Sequence, residues 1–320
     1  MNVNQIVRND ISRNKKPLVT LITPVFNRAN IIGRTLSSVV RLDFDDFEYI
    51  IVDDGSTDEI DVVVCDFMNK VSFPVTYIKK DNGGVHTARN AGVKFASGKF
   101  IYFLDSDDET LPNAISIFLE EWKKIEKKAD NYFEVKARCI LDNGKIMGKI
   151  FPDNINDLPW KKVLHLKNNV GGELVGFRLA EILKNNLWPE PEGITFVSES
   201  ILWNKLNKTY KTWLINSPVQ LYHFSNVSIG NIQKRNKQSV LNQLWNASYM
   251  LNDKCVFHFS AKKRLKTIAR VNIFKKLLRD YYPVSNYKFK YPFDRFISFI
   301  IRPITFFIFL YYRKKRFVSD

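Results

Sequence analysis

The stretch Lys99-Phe-Ile-Tyr-Phe-Leu-Asp-Ser-Asp-Asp-Glu109 constrains the fold more than any other part of the chain. Five apolar or aromatic residues run directly into three aspartates within four positions. Such a run reads as a strand buried on both faces, in a sheet covered by helices. The strand has to end where water or a ligand begins, because unpaired carboxylates cannot follow a core inward without a large cost. Asp105, Asp107 and Asp108 therefore belong at the C-terminal edge of a central strand, where open α/β sheets bind ligands. Asp-x-Asp also offers hard oxygen donors suited to Mg²⁺ or Mn²⁺ bridging phosphates. On spacing alone the same acids equally fit a turn ahead of a helix near Pro112.

Upstream, Pro17 to Val25 is apolar and β-branched and reads as a first buried strand. Asn27, in the loop that follows, is placed to cap a helix carrying Ile31, Ile32, Leu36, Val39 and Val40 at helical spacing. Phe47 to Val52 is a second strand, closed by Asp53-Asp54-Gly55-Ser56, and Ser56 with Glu59 has capping-box spacing for a helix to about Lys70. Val75 to Lys79 is a third strand, Asn82-Gly83-Gly84 a turn needing positive φ, and His86 to Ala96 a helix leading back to the opening run. The order β-α-β-α-β-α-β predicts a doubly wound, mostly parallel sheet of the Rossmann-like α/β class, flanked by helices. Two of its strands then finish in acids at one edge, and the glycine turn joins them there. That coincidence favours a nucleotide–metal site.

Four ordered motifs carry a resemblance: Thr23-Pro-Val-Phe-Asn27, Ile51-Val-Asp-Asp-Gly-Ser-Thr-Asp58, Asn82-Gly-Gly-Val-His-Thr-Ala-Arg-Asn-Ala-Gly92 and Phe103-Leu-Asp-Ser-Asp-Asp108. In this order they resemble family 2 glycosyltransferases of the GT-A fold, over about residues 17–225. The resemblance implies a nucleotide-sugar donor, with Pro24, Phe26 and Asn27 lining the nucleotide pocket and Asp54 receiving the base, most often uracil. It places Gly83 in the turn at that edge, Asp105 near the ribose and donor sugar, and Asp107 on the Mg²⁺ or Mn²⁺ that bridges the diphosphate. Arg89 would help fix the nucleotide or donor; as a residue, it equally reads as a surface arginine on a helix. Asp108 receives no role.

The second half is less legible. EVKARCILDNGKIMGKI, within Tyr132 to Ile150, reads as a β-hairpin turning at Asp142-Asn143-Gly144. Trp160 to Phe177 gives no clear pattern. Pro189 and Pro191 enforce a loop, and Ser198 is placed to cap a helix starting at Glu199. Inverting transfer needs a carboxylate to deprotonate the acceptor hydroxyl, and relatives in the family place an acidic pair before a Leu-Trp-like step. Here a single acid, Glu199, precedes Ile201-Leu202-Trp203, and it is the expected base, with Glu192 in reserve. His223, beside Tyr222, reads as a packing residue with access to the metal or acceptor as the alternative.

Charge sorts the remaining functions. Residues 261–320 hold sixteen Lys and Arg against Asp280, Asp294 and Asp320, so nearly all of the net +16 lies there. The rest is close to neutral, which argues against nucleic acid as a partner. Residues 231–283 look helical and basic, and 287–316 place an aromatic-rich run, Phe296 to Tyr312, between Lys and Arg clusters. Broken by Arg302-Pro303, that run falls short of a bilayer span and suits an interfacial element on an anionic membrane surface. A buried C-terminal helix with a basic end is the alternative.

The expected organisation is a polar lead (1–16), a transferase domain (17–225, its nucleotide half 17–112 and its acceptor half 113–225), a helical extension (226–286) and a membrane-interface tail (287–320). Met1 to Lys16 has no apolar h-region, three scattered cysteines suit a reducing compartment, and four histidines make no zinc motif. The expectation is a cytoplasmic enzyme, peripheral on the inner face of the membrane, acting on a lipid-linked or polymeric saccharide acceptor. A sugar nucleotidyltransferase would want a Gly-rich, Lys- or Arg-bearing loop where Pro24-Val-Phe-Asn27 stands. A phosphatase using Asp-x-Asp would want Thr or Val where Glu109 stands. A membrane- or nucleic-acid-binding module would leave the acidic strand ends unexplained.

Overall fold

The apolar runs fall where a doubly wound sheet needs them. The computed structural model describes residues 3–9, 11, 15–128, 130–152, 171–223, 237–252, 261–278 and 287–314. Parts of the expected organisation lie outside these residues, among them most of the 160–177 stretch, 226–236, Cys255 and the end of the basic tail. The chain divides into two compact units, Met1–Trp188 with Leu206–Ser225, and Pro189–Lys205 with Asn226–Asp320.

The first unit holds strands β1 (Val3–Arg8), β2 (Val19–Val25), β3 (Phe47–Asp53), β4 (Val75–Lys80), β5 (Phe100–Phe103), β6 (Glu109–Thr110), β7 (Tyr132–Leu141), β8 (Leu174–Leu179) and β9 (Lys211–Tyr222). They form one sheet in the order β1-β4-β3-β2-β5-β8-β7-β9-β6. The block β4-β3-β2-β5 is parallel, so the carboxyl ends of its strands share one edge. Every residue of β2 is buried, as a strand covered by helices on both faces must be. Each fully buried Leu or Ile in such a strand contributes roughly 1.5–3 kcal/mol relative to leaving it exposed.

Helices α1 (Ile32–Val40), α2 (Ile60–Met68), α3 (Val85–Phe95), α4 (Ala114–Glu126) and α5 (Ala180–Lys184) flank the sheet. Ile32, Leu36 and Val39 turn inward from α1, as their spacing predicts, while Val40 stays exposed. The packing of α3 on β2 is close enough that a Cβ on Gly92 would run into Ile22. On the other side Phe118 stacks on Phe177 at 4.9 Å and Phe177 on Phe100 at 4.8 Å, tying α4 to β8 and β5.

Several local expectations give way to other contacts. A strand, β1, occupies the polar lead, pairing antiparallel with β4. Asn27 does not cap α1, which begins without a side-chain cap; it takes a left-handed φ of 51° and its oxygen accepts from Thr57 N instead. Ser56 and Glu59 make no capping box, because the Ser56 hydroxyl accepts from Asn27 N. Of the two glycines in the Asn82-Gly83-Gly84 turn, only Gly84 has positive φ, at 93°. The hairpin after Tyr132 has its turn, but the returning strand shrinks to an isolated bridge, Ile140↔Ile146. Both edges of β7 are already taken, by β8 and β9.

In the second unit the loop from Pro189 leads into α6 (Glu199–Leu206), followed by α7 (Lys237–Asn252), α8 (Ala261–Leu278), α9 (Pro292–Ile300) and α10 (Arg302–Lys314). Val240, Leu244 and Leu251 bury one stripe of α7. Asp294, at the start of α9, is fully buried and pairs with Arg264 of α8 at 2.6 Å. The apolar run breaks at Ile301, just ahead of Arg302-Pro303, and among the described residues no helix is long and apolar enough to cross a membrane. Its aromatics face outward: Phe296, Phe299 and Phe307 are exposed, the last at 70%.

Candidate active site

Four loops leave the shared carboxyl edge of the parallel block, and hydrogen bonds bind them to one another. Near the end of β2, Pro24 is buried and pairs with Val52 of β3, while Phe26, just beyond the strand, stands exposed. Asn27 N donates to Ser56 Oγ at 2.9 Å, its Oδ1 accepts from Thr57 N at 2.8 Å, and Ala29 N donates to Asp58 Oδ2 at 2.8 Å. The loops after β2 and β3 are therefore stitched together, leaving the Phe26 ring at their rim.

Asp54 is buried to 3% exposure where β3 ends. Its oxygens accept from Gly83 N at 3.0 Å and Gly84 N at 2.7 Å, and the buried Lys80 ammonium pairs with it. The backbone N–H groups of the glycine turn are thus aimed at Asp54, which holds the turn against the edge. Gly83 has to be small there, because a Cβ would come 2.7 Å from Thr87 Oγ1. Asp53, also buried, accepts from Ser56 N at 2.8 Å.

After β5 the three aspartates separate in character. Asp105 is half exposed and is held by Arg89 Nη2 at 2.7 Å. Arg89 itself is buried in α3, with its guanidinium 5.6 Å from the Phe103 ring centre. It is a support beneath Asp105 more than a surface arginine. Asp107 is partly exposed at the tip of the turn. Asp108 turns inward, accepting from Gln220 Nε2 at 2.7 Å and from His223 N at 3.3 Å. Burial first, then the charges of Asp105 and Asp107, push its pKa up to about 8. The residue left without a role in the sequence thus anchors the acidic turn to β9.

His223 closes the same side. Its Nε2 lies 2.8 Å from Glu109 and its Nδ1 2.9 Å from Asp142, while Glu109 also pairs with Arg41 at 2.7 Å. A histidine between two carboxylates is more than aromatic packing. No sequence motif announces Gln220, His223 or Lys80, because each finds its partner through strand pairing far along the chain.

Three or more metal-ligating side chains gather nowhere among the described residues. A hard divalent cation does not need such a cage: it is commonly held by one or two carboxylates, with phosphate oxygens and water completing the shell. The oxygen-only pair Asp105 and Asp107, at an edge already crowded with negative charge, has the chemistry for that cation. Asp107 stands at the tip of the turn, and Asp105 is held by Arg89.

Glu199 belongs to the second unit and is exposed in the first turn of α6. Trp203 Nε1, one turn on, donates to its Oε2 at 3.3 Å. The loop before it is gripped by one face of α7. Gln238 Nε2 donates to Gly193 O at 2.8 Å, Asn242 Oδ1 accepts from Thr195 N at 3.1 Å, and Asn246 Oδ1 accepts from Ser198 N at 2.7 Å. Carboxamides four residues apart line one helix face, and that i, i+4, i+8 spacing was the available signal. Glu192 is exposed on the loop itself.

A parallel α/β block with acidic strand ends gathered over a glycine turn defines the class: this is a GT-A fold. Residues 20–137 match the model described as Glycosyl transferase family 2. It is 31% identical over 286 residues to an uncharacterized glycosyltransferase of Rickettsia felis, covering 85% of this chain and 43% of that protein. It is 28% identical over 210 residues to the GalNAc(5)-diNAcBac-PP-undecaprenol beta-1,3-glucosyltransferase of Campylobacter jejuni, covering 64% of each. The chain thus spans less than two thirds of the length of either relative.

Among solved structures, Staphylococcus aureus TarS 1-349 in complex with UDP-GlcNAc superposes with a TM-score of 0.53 at 16% identity, over 88% of this chain and 78% of that one. The mannosyltransferase PcManGT of Pyrobaculum calidifontis, in complex with GDP-Man and Mn²⁺, gives 0.54 at 15% identity, over 93% and 88%. At such identities the likeness is one of fold.

Proposed function

We propose that the chain transfers a sugar, with inversion, from a UDP-sugar to a hydroxyl of a lipid-linked or polymeric saccharide during cell-surface polysaccharide synthesis. The observation that carries this reading is the convergence at one sheet edge of the Asp54–glycine turn with Asp105 and Asp107. Phe26, at the rim of loops built on Pro24 and Asn27, offers an apolar face to the nucleotide. Asp54, whose oxygens are taken by Gly83 N, Gly84 N and Lys80, fixes the shape of the turn with the two glycines rather than receiving the base itself, and Arg89 sets Asp105 toward the donor.

Asp107 is the proposed ligand for Mg²⁺ or Mn²⁺, with Asp105 beside it. Such a cation, when bound, supplies positive charge to the departing diphosphate. Glu199 is the proposed base, taking the acceptor hydroxyl proton as that oxygen attacks the sugar carbon. Its exposure at a helix start and the Trp203 hydrogen bond support that role. The nucleotide-sugar and Mn²⁺ complexes of structures with the same fold, and the relative named for an undecaprenol-linked saccharide, support the donor, metal and acceptor parts of this reading.

The exposed aromatics of α9 and α10, among Lys and Arg, suit an anionic membrane surface on the cytoplasmic side. That placement would bring the enzyme to a lipid-linked acceptor.

The test is release of nucleoside diphosphate from a panel of UDP- and GDP-sugars, with and without Mn²⁺. One UDP-sugar should be turned over, with chelator abolishing release and Asp107→Asn lowering it by roughly 100-fold or more, the scale of a lost electrostatic contact to a leaving group. Turnover of no nucleotide sugar in any metal would contradict the reading.

A further inference from the structure

Strand β1 lies ahead of the segment that matches the family, which begins at residue 20, yet it reaches the nucleotide edge. Its pairing with β4 sets Val3 opposite Lys80 and Gln5 opposite Lys79, with an irregularity between them. Both ends are pinned. Asn4 Nδ2 donates to Asp81 Oδ1 at 2.7 Å. Beyond Arg8, Asn9 Nδ2 donates to Phe73 O at 2.9 Å and its Oδ1 accepts from Val75 N at 3.0 Å. An edge strand so short and polar would otherwise fray.

Between β1 and the loops after β3 and β4 lies an open cleft of about 520 Å³, lined among others by Asn4, Gln5, Asp53, Ser56, Lys80 and Asn82. Gly55 makes its floor possible. It takes a φ of +78°, and a Cβ there would sit 2.8 Å from Asn82 N, so the two loops meet backbone to backbone. The side chains that line it are of polar types, and many are already committed: Asp53 to Ser56, Lys80 to Asp54, Asn4 to Asp81. The carboxamides of Gln5 and Asn82 are different. Among the described residues, neither is spent on an intramolecular hydrogen bond. A carboxamide presents donors and an acceptor in one plane, the pattern that pairs with the edge of a heterocyclic base.

We propose that Gln5 and Asn82 read the hydrogen-bonding edge of the donor's nucleobase, making the N-terminal strand a specificity element of the nucleotide site. This rests on the nucleotide-sugar reading above and adds to it a residue that the family segment does not contain. Gln5 acts by direct contact with the base; Asn4 acts by holding the strand end over the cleft.

The experiment compares equilibrium binding of UDP, GDP and ribose 5-diphosphate, which lacks a base, in the presence of Mn²⁺. The proteins are the full chain and Gln5→Ala, an exposed position whose truncation leaves the strand pairing intact. Gln5→Ala should weaken the preferred nucleoside diphosphate roughly tenfold, the scale of one or two lost hydrogen bonds, with ribose 5-diphosphate unchanged. Unchanged affinity for the preferred nucleotide would overturn the inference while leaving the donor reading standing. Equal weakening of the nucleotide and of ribose 5-diphosphate would overturn it too, since the strand would then act only on shape. Binding of neither UDP nor GDP by the unaltered chain would instead contradict the donor reading on which it rests.

Discussion

A buried carboxylate needs donors on every side, and Asp54 draws them from strand and turn alike. Gly83 N, Gly84 N and Lys80 surround it, with Lys80 itself only 3% exposed. Removing one partner of such a pair leaves an uncompensated charge in the core. Lys80→Met should therefore destabilise the protein by about 3–5 kcal/mol in denaturant unfolding. A change below about 1 kcal/mol would mean that water or another cation already serves Asp54. At this scale the sequence shows the acids but not their division of labour. Asp105, Asp107 and Asp108 look alike in a string of letters. What separates them is whether the partner is Arg89 from α3 or Gln220 from β9, and the second of these lies more than a hundred residues away.

Elements were legible where periodicity is local. The strands at 19–25, 47–53, 75–80 and 100–103, and the helices between them, follow from apolar runs and 3.6-residue spacing. Elements that depend on a distant partner were not: β1 is polar and exists by pairing with β4, and the hairpin after Tyr132 gives way because β8 and β9 claim the edges of β7. Caps failed for a related reason, since Asn27 and Ser56 bond to each other's loops before they can bond to a helix. The C-terminal helices set a different test. α9 and α10 expose Phe296, Phe299 and Phe307 where a soluble face would carry polar groups. Replacing these three with serine should reduce sedimentation with anionic vesicles at least several-fold, each buried ring being worth roughly 1.5–3 kcal/mol. Folding, followed by circular dichroism, should be unaffected. Equal vesicle binding by the altered protein would return these helices to the alternative of a packed protein surface.

For the whole molecule, the GT-A fold comes from agreement among levels. The parallel block, the acidic strand ends and the match over residues 20–137 describe one α/β half. The second unit, by contrast, was read from single residues such as Glu199, and its helices carry no motif. Its contribution is a basic, aromatic surface and a loop gripped by Gln238, Asn242 and Asn246. The central claim, that the Asp-x-Asp edge holds a metal-linked nucleotide diphosphate, is tested most directly by calorimetric titration of UDP into the full chain and into Asp107→Asn, each with and without Mn²⁺. The account predicts UDP binding that Mn²⁺ strengthens in the unaltered protein and does not strengthen in Asp107→Asn. Mn²⁺-enhanced binding of equal affinity in both proteins would contradict it.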